Sequence, residues 1–355
     1  MTFLSTPYFT RGRAIAAVLA TGLLLGCAPS QETSAPTAAA TPTPAPTPTV
    51  AAPTPSDAPL APITVSGSYW IELSPVIVAA NSFYPQQIPV GEGGITRITS
   101  RDADMATNAE TQLLRETIVN PDLRIIATVT ESFYRLVARK SAGIETLADL
   151  KGKRVMLPRN TSANYYLVAM LRTVGLTEAD VELVPLPPDE GDVLGMSKMS
   201  DALLAGEVDA ISIWEPEPED AIHQLGDDAI VFQDKSVYRE VFNLHARASD
   251  LANAEKRRSI VTFLQALIQA TDAVKSNAQA YWPHVSDVTG FTVEEIGMGW
   301  PEMEFPVRII PDMLDVLEEE EPWIAGLQNR EPRSREELAV FIDPTPLEEA
   351  YALER

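Results

Sequence analysis

The chain has 355 residues, 45% of them hydrophobic, so it carries ample material for a conventional core. Its 27 basic and 50 acidic side chains give a net charge of −23, which disfavours nucleic-acid binding, because phosphate backbones attract basic surfaces. A single cysteine excludes an internal disulfide. The three histidines (His223, His245, His284) stand in no metal or triad spacing, so no metal, cofactor or catalytic constellation is assigned.

Arg11 and Arg13 form a basic region ahead of the uncharged apolar run from Ala14 to Gly26. A membrane-spanning helix needs about 20 such residues, so this run is short for a permanent anchor and residues 1–26 read as a signal peptide. The run ends Leu24-Leu25-Gly26-Cys27, which matches the lipobox of bacterial lipoproteins, where the cysteine thiol is diacylated and becomes the first mature residue. Lipidation of Cys27 would hold the protein to a membrane on the periplasmic side of the cell envelope. An ordinary signal peptide with an incidental cysteine, or an uncleaved anchor, is the alternative. Without the signal the chain keeps 25 basic against 50 acidic side chains, a net charge of about −25. Residues 27–61 are almost entirely Ala, Pro, Thr and Ser, a composition with no core and few donors, and they read as an extended tether.

From Ile63 onward, apolar runs of strand length alternate with amphipathic helical stretches. The runs are ITVSG (63–67), LRIIATV (123–129), YRLVAR (134–139), RVMLP (154–158), VELVPL (181–186), DAISIW (209–214) and AIVFQ (229–233). Ser74-Pro75 reads as an N-cap followed by proline at the first helical position. Thr107-Asn108-Ala109-Glu110 has capping-box spacing, with Thr107 as cap and Glu110 reaching back. Ala148 to Lys153 reads as a short helix ended by a glycine turn, its lysines solvated. Thr161 or Ser162 opens an apolar-periodic helix with Tyr166, Met170 and Val174 on one face. Gly206 suits a left-handed C-terminal cap before DAISIW. The last hundred residues read as helices, 257–282 and 311–327, with no strand pattern. Strand–helix alternation implies mainly parallel sheets flanked by helices. An α/β start, a strand-rich middle and a helical end suit two lobes, one discontinuous: residues 62–138 with 245–355, and residues 139–244. The crossings fall near Leu136–Lys140 and Asn243–Arg247.

Residues Gly143 to Leu176, GIETLADLKGKRVMLPRNTSANYYLVAMLRTVGL, and then DALLAGEVDAISIWEPEPEDAI (201–222), closely resemble the nitrate/sulfonate/taurine/thiamine-pyrimidine-binding family of ABC-importer proteins. The resemblance extends from Ile63 to about Gln328. It implies the α/β, two-lobe type II periplasmic-binding fold, a small-molecule ligand captured between closing lobes, an ABC permease as partner and no cofactor. A monomer is expected.

The turn after RVMLP brings Arg159, Asn160, Thr161 and Ser162 to a helix start, where unpaired N–H groups and the positive dipole end favour an anionic group. A plain helix cap explains Thr161 or Ser162 equally well. Trp214 and Glu215 follow DAISIW, where the resembling family places a residue facing the cleft; lobe packing is the other role open to Trp214. Ser68, Tyr69 and Trp70 hold the equivalent place after ITVSG, and Asn108 joins them as a candidate from the same half. Glu72 in that loop also reads as a solvated acid. Helix N-termini favour an anion, whereas aromatic faces and carboxylates favour a cation or flat ring. Only Arg159 offers a basic counterweight. The ligand implied is a sulfonate, a zwitterion such as taurine, or a heteroaromatic such as a thiamine-precursor pyrimidine. Two rival functions remain: a sensing lipoprotein that presents ligand to a membrane receptor, and a thiamine-pyrimidine-synthase-like enzyme.

Overall fold

The computed structural model describes residues 59–186 and 198–354. The signal segment, Cys27 and most of the tether lie outside the described residues. Eleven strands are described: β1 (Val65–Gly67), β2 (Val90–Glu92), β3 (Met105–Ala109), β4 (Leu123–Ser132), β5 (Arg135–Arg139), β6 (Arg154–Met156), β7 (Glu182–Val184), β8 (Ala210–Ile213), β9 (Ala229–Phe232), β10 (Glu240–Arg247) and β11 (Met303–Glu304). They form a six-stranded sheet, ordered β11-β4-β10-β3-β1-β2, and a five-stranded sheet, ordered β7-β6-β8-β5-β9.

Both sheets are mixed. β1 runs parallel to β2 and β3, and β6 runs parallel to β7 and β8. The strands that carry the chain between sheets, β4 with β10 and β5 with β9, pair antiparallel. The expectation of mainly parallel sheets therefore holds for one half of each sheet. The other half is built by a chain that leaves and returns, and returning strands oppose outgoing ones.

The chain passes to the five-stranded sheet through Phe133 and Tyr134 and comes back through residues 233–239. Leu136–Lys140 and Asn243–Arg247, where the sequence suggested the crossings, lie in or directly beside β5 and β10. Only two residues separate β4 from β5, too few to leave a turn signal.

Local signals fared according to how little they depended on tertiary partners. Gly206 has φ +76° after the helix Met199–Ala205, as read. Thr146 and Asp149 make a capping box for the short helix Leu147–Leu150, and Gly152 follows with φ +73°. Thr107 and Glu110, by contrast, form no capping box. Thr107 lies inside β3, between β1 and β10, and the next helix starts at Glu110 itself. Ladder pairing on both edges of a central strand outweighs a local capping preference. Ser74 is likewise the first residue of the helix Ser74–Val78, not its cap, and its hydroxyl donates to the Ile71 carbonyl at 2.5 Å. Val174 ends the helix Ser162–Thr173 and is exposed, while Tyr166 and Met170 are buried.

The long helix Ala254–Ser276 is capped by Asn253, whose side chain accepts from the N–H groups of Glu255 and Lys256. It buries Ile260, Phe263, Leu264, Leu267 and Val274, a helical spacing that turns one face onto the first core. Each such side chain contributes ~1.5–3 kcal/mol on burial. In the second sheet, Asp209 accepts from the Arg154 backbone N–H at 2.9 Å and from Arg154 Nη2 at 2.7 Å, and pairs with Arg139 at 3.3 Å. Burial raises its carboxyl, but the Arg154 hydrogen bonds outweigh that and leave it below the ordinary range. The cluster ties the starts of β6 and β8 to the end of β5. Asp209→Ala should cost about 2–3 kcal/mol, because charged hydrogen bonds are lost and two guanidinium groups are left short of a partner. A urea titration followed by circular dichroism checks this, and a loss below about 0.5 kcal/mol contradicts it.

Candidate functional site

A cavity of about 230 Å³ opens where the turns after strands of both sheets meet. The first sheet contributes Ser68, Trp70 and Glu72 after β1, Asn108, Ala109 and Gln112 around the end of β3, and Glu240 and Phe242 from β10. The second contributes Thr161 and Ser162 at the start of the helix Ser162–Thr173, and Trp214 after β8. Trp70 and Trp214 meet edge to face with ring centroids 5.4 Å apart. The site thus rests on two tryptophans held by different sheets.

Seven of the residues singled out from the sequence line this cavity: Ser68, Trp70, Glu72, Asn108, Thr161, Ser162 and Trp214. Four do not. Tyr69 turns away from it, its hydroxyl donating to the Val90 carbonyl at 2.9 Å and its ring packing against the first core. Asn160 sits at φ +61° and serves the turn: its N–H donates to Asn164 Oδ1 at 3.0 Å, and its carbonyl accepts from Arg115 at 2.7 Å. Glu215 is 1% exposed and faces Arg135, with its Oε1 2.7 Å from Nη2. Arg159 is exposed and is not among the lining residues. Glu72, read as a possible solvated acid, is 2% exposed and lines the cavity.

Glu240, Phe242 and Gln112 were not anticipated. For Glu240 a signal existed: a lone acid opens the otherwise apolar alternation of EVFNLHAR, which is unusual for a buried strand.

The electrostatics are those of acids without cations. Burial pushes the Glu72 carboxyl up to about 7, against hydrogen bonds from its own backbone and Ser132. Burial raises Glu240 well above the ordinary carboxyl range, and the charges of Glu72 and Glu110 add to it. Ser162 donates to Glu240 Oε1 at 3.2 Å and lies 2.9 Å from the Tyr134 hydroxyl. Among the described residues, no Lys, Arg or His lines the cavity. Two buried polar atoms on lining residues have no hydrogen-bond partner among the described residues: Glu72 Oε2 and Trp214 Nε1. Such atoms carry a desolvation cost that a ligand can relieve.

The NMT1/THI5-like family model matches residues 89–280, which is more than half of the chain. The chain belongs to the NMT1/THI5-like family. Among its relatives, a Haemophilus influenzae protein named for thiamine biosynthesis is 30% identical over 109 residues, covering 30% of this chain and 32% of that one. The curated relatives are thus matched over a third of their length or less. The periplasmic aliphatic sulphonate-binding protein SsuA of Escherichia coli shares the fold with a TM-score of 0.63 at 15% identity, covering 78% of this chain and 90% of that one. The desulfurization enzyme DSZB shares it with a TM-score of 0.60 at 16% identity, covering 83% and 100% respectively. Both likenesses establish the periplasmic-binding-protein fold for this NMT1/THI5-like chain.

The raised carboxylates set a pH dependence. A carboxyl whose folded pKa lies above its unfolded value binds more protons when folded, so stability falls as pH rises through that interval. Glu72, moved from 4.5 to about 7, corresponds to roughly 3 kcal/mol lost at high pH. Glu215, pushed to about 7 by burial against the opposing pull of Arg135, adds the same slope. His245, which burial holds down at about 4, adds the opposite slope, but only below its ordinary 6.5. The informative window is therefore pH 6.5–8. The thermal midpoint of the unliganded protein should fall by roughly 2 °C or more across it, and less in Glu72→Gln. A midpoint that rises with pH in both proteins contradicts this assignment.

Proposed function

We propose that the protein is the extracytoplasmic solute-binding component of an ABC importer, a lipoprotein that captures a small organic molecule and presents it to a permease. The observation that carries this reading is the meeting of Trp70 and Trp214 across one cavity from two different sheets. A ligand gripped by both favours the closed arrangement through contacts available only when closed, a population shift toward the form a permease can recognise. A cavity of about 150 Å³ takes a benzene ring, so about 230 Å³ suits a single substituted ring or a molecule of that size.

Of the ligand classes considered from the sequence, a heteroaromatic or zwitterion suits the lining better than a simple sulfonate. Aromatic faces give stacking area, while Ser68, Asn108 and Gln112 offer directional hydrogen bonds. The thiamine-related name of one relative agrees with a heteroaromatic; the sulphonate-binding name of another protein of this fold points to an anion, which Glu72 and Glu240 oppose. Capture without catalysis is supported by Ser162. The carboxyl it donates to, Glu240, is raised well above the ordinary carboxyl range by burial, which favours its neutral form over the carboxylate that a general base needs. A sensing role on a membrane receptor would use the same capture step.

Native mass spectrometry of the purified protein should show a bound small molecule, identifiable after release. Trp214→Ala should weaken its binding about tenfold or more by calorimetry with the circular dichroism unchanged. Unchanged affinity would remove this cavity as the binding site. For the anchor, cells fed a labelled fatty acid should incorporate it into the wild-type protein but not into Cys27→Ser. Label retained in Cys27→Ser rules out lipidation at that residue.

A further inference from the structure

We propose that the cavity takes its ligand as an organic cation, seated against Glu72 and Glu240 beside Trp70 and Trp214, in exchange for a proton of a buried glutamate cluster. This rests on the capture reading above and adds the ligand's charge and its linkage to pH.

The geometry starts from Glu72. It is 2% exposed, lines the cavity, and its Oε2 has no hydrogen-bond partner among the described residues, while Oε1 accepts from Ser132 at 3.2 Å. Glu240, 5% exposed, lines the same cavity from β10. Behind it stands a second pair. Glu110 Oε1 accepts from the Tyr238 hydroxyl at 2.7 Å, and Oε2 from the Val241 N–H at 2.7 Å. Burial raises the Glu110 carboxyl against these two donors, and raises Glu320 well above the ordinary carboxyl range, with the charge of Glu110 and the hydrogen bond between the two acids adding to it.

Four groups bear on Glu240: Glu72 from the turn after β1, Glu110 from the start of the helix after β3, Tyr134 from the crossing, and Ser162 from the helix Ser162–Thr173, while Ser132 of β4 lies opposite it in the ladder. Tyr238 and Glu320 lie one shell further out. Among the described residues, no cation stands with them. The arginines that approach are committed elsewhere. Arg135 pairs with Glu215 and Glu219, and Arg239 with Glu131 and Asp312. Arg115, one turn beyond Gln112, donates to the Asn160 carbonyl.

A set of buried acids without counter-charge is stable only when protons neutralise it. Burial places Glu72 at about 7, and Glu240 well above the ordinary carboxyl range. A cation arriving beside them does the neutralising instead, so one positive charge enters and one proton leaves to solvent. The edges and faces of Trp70 and Trp214 suit a flat or alkylated cation, because the ring quadrupole presents a negative face. A sulfonate would have to enter beside Glu72 with no basic side chain in the lining.

The test uses three probes of fixed charge and similar size: N-methylpyridinium, benzyl alcohol and benzenesulfonate. Each is titrated by calorimetry into the ligand-stripped protein at pH 6, 7 and 8, in two buffers of different ionisation heat. N-methylpyridinium should bind, with about one proton released, and its affinity should rise up to about tenfold between pH 6 and 7. Benzenesulfonate should not bind. Glu72→Gln and Glu240→Gln should each weaken the cation about tenfold or more and reduce the proton release. The wild-type pH series needs neither variant to fold. Binding of benzenesulfonate with silence from N-methylpyridinium overturns the cation assignment and leaves the capture reading intact. Binding of the cation with no proton release and a flat pH profile overturns the exchange. Silence from all three probes, with no ligand co-purified, removes the capture reading and this inference together.

Discussion

The site depends on one backbone constraint: the chain runs through both sheets and must pass between them twice at the same place. The two passages are fastened to each other by Gln233, whose side-chain amide donates to the carbonyls of Phe133 at 3.1 Å and Tyr134 at 3.3 Å and to Glu302 at 2.9 Å. Lys235 lies over the Phe133 ring at 4.1 Å and pairs with Glu302 at 3.3 Å. Because these passages set where β5, β8 and β10 begin and end, they also set the positions of Trp214 and Glu240. The ends of β1 and β3 then face the start of the helix Ser162–Thr173 across the gap, which is where α/β sheets leave room for ligands.

The distribution of acids follows a pattern with a physical meaning. Where the fold needs a buried or half-buried carboxylate for structure, it supplies an arginine: buried Glu321 lies between Arg330 and Arg333, half-buried Asp209 between Arg154 and Arg139, and buried Glu215 beside Arg135. Glu72, Glu110, Glu240 and Glu320 are buried but have no such partner among the described residues. Uncompensated burial of this kind destabilises a fold, and it is tolerated only where large apolar cores on either side supply the difference. Two of those cores, one on each sheet, abut the cavity, the first through Phe242 and the second through Trp70 and Trp214.

The aromatic residues connect the cavity to that packing. Tyr134 contacts Trp214 at 6.1 Å, Tyr166 at 5.9 Å and Tyr238 at 5.7 Å, and Tyr165 continues the contact to Trp323 at 5.3 Å. Trp323 in turn donates to Glu178, so the helix Met313–Leu327 braces the second core as well as the one it shares with the first sheet. A displacement of Trp214 on ligand binding would be felt along this row, since close-packed rings transmit strain instead of absorbing it.

What the sequence by itself determined are the features written within a few residues of chain: the strand runs, the cap at Gly206, the short capped helix before β6, and the turns after β1, β6 and β8 that line the cavity with Ser68, Trp70, Thr161, Ser162 and Trp214. These depend on local sterics and periodicity, and they survive in almost any tertiary setting. The family resemblance rested on the same stretches. What only the tertiary structure decided depends on partners far apart in sequence. β3 reads as a helix start until β1 and β10 enclose it. β10 carries Glu240 into the cavity because it returns between β3 and β4, more than a hundred residues after them. The direction in which Tyr69 and Glu215 point follows from Val90 and Arg135, and the charge state of Glu72 and Glu240 follows from burial that no local pattern specifies. Local chemistry named the turns, and long-range pairing chose which of their side chains face the cavity.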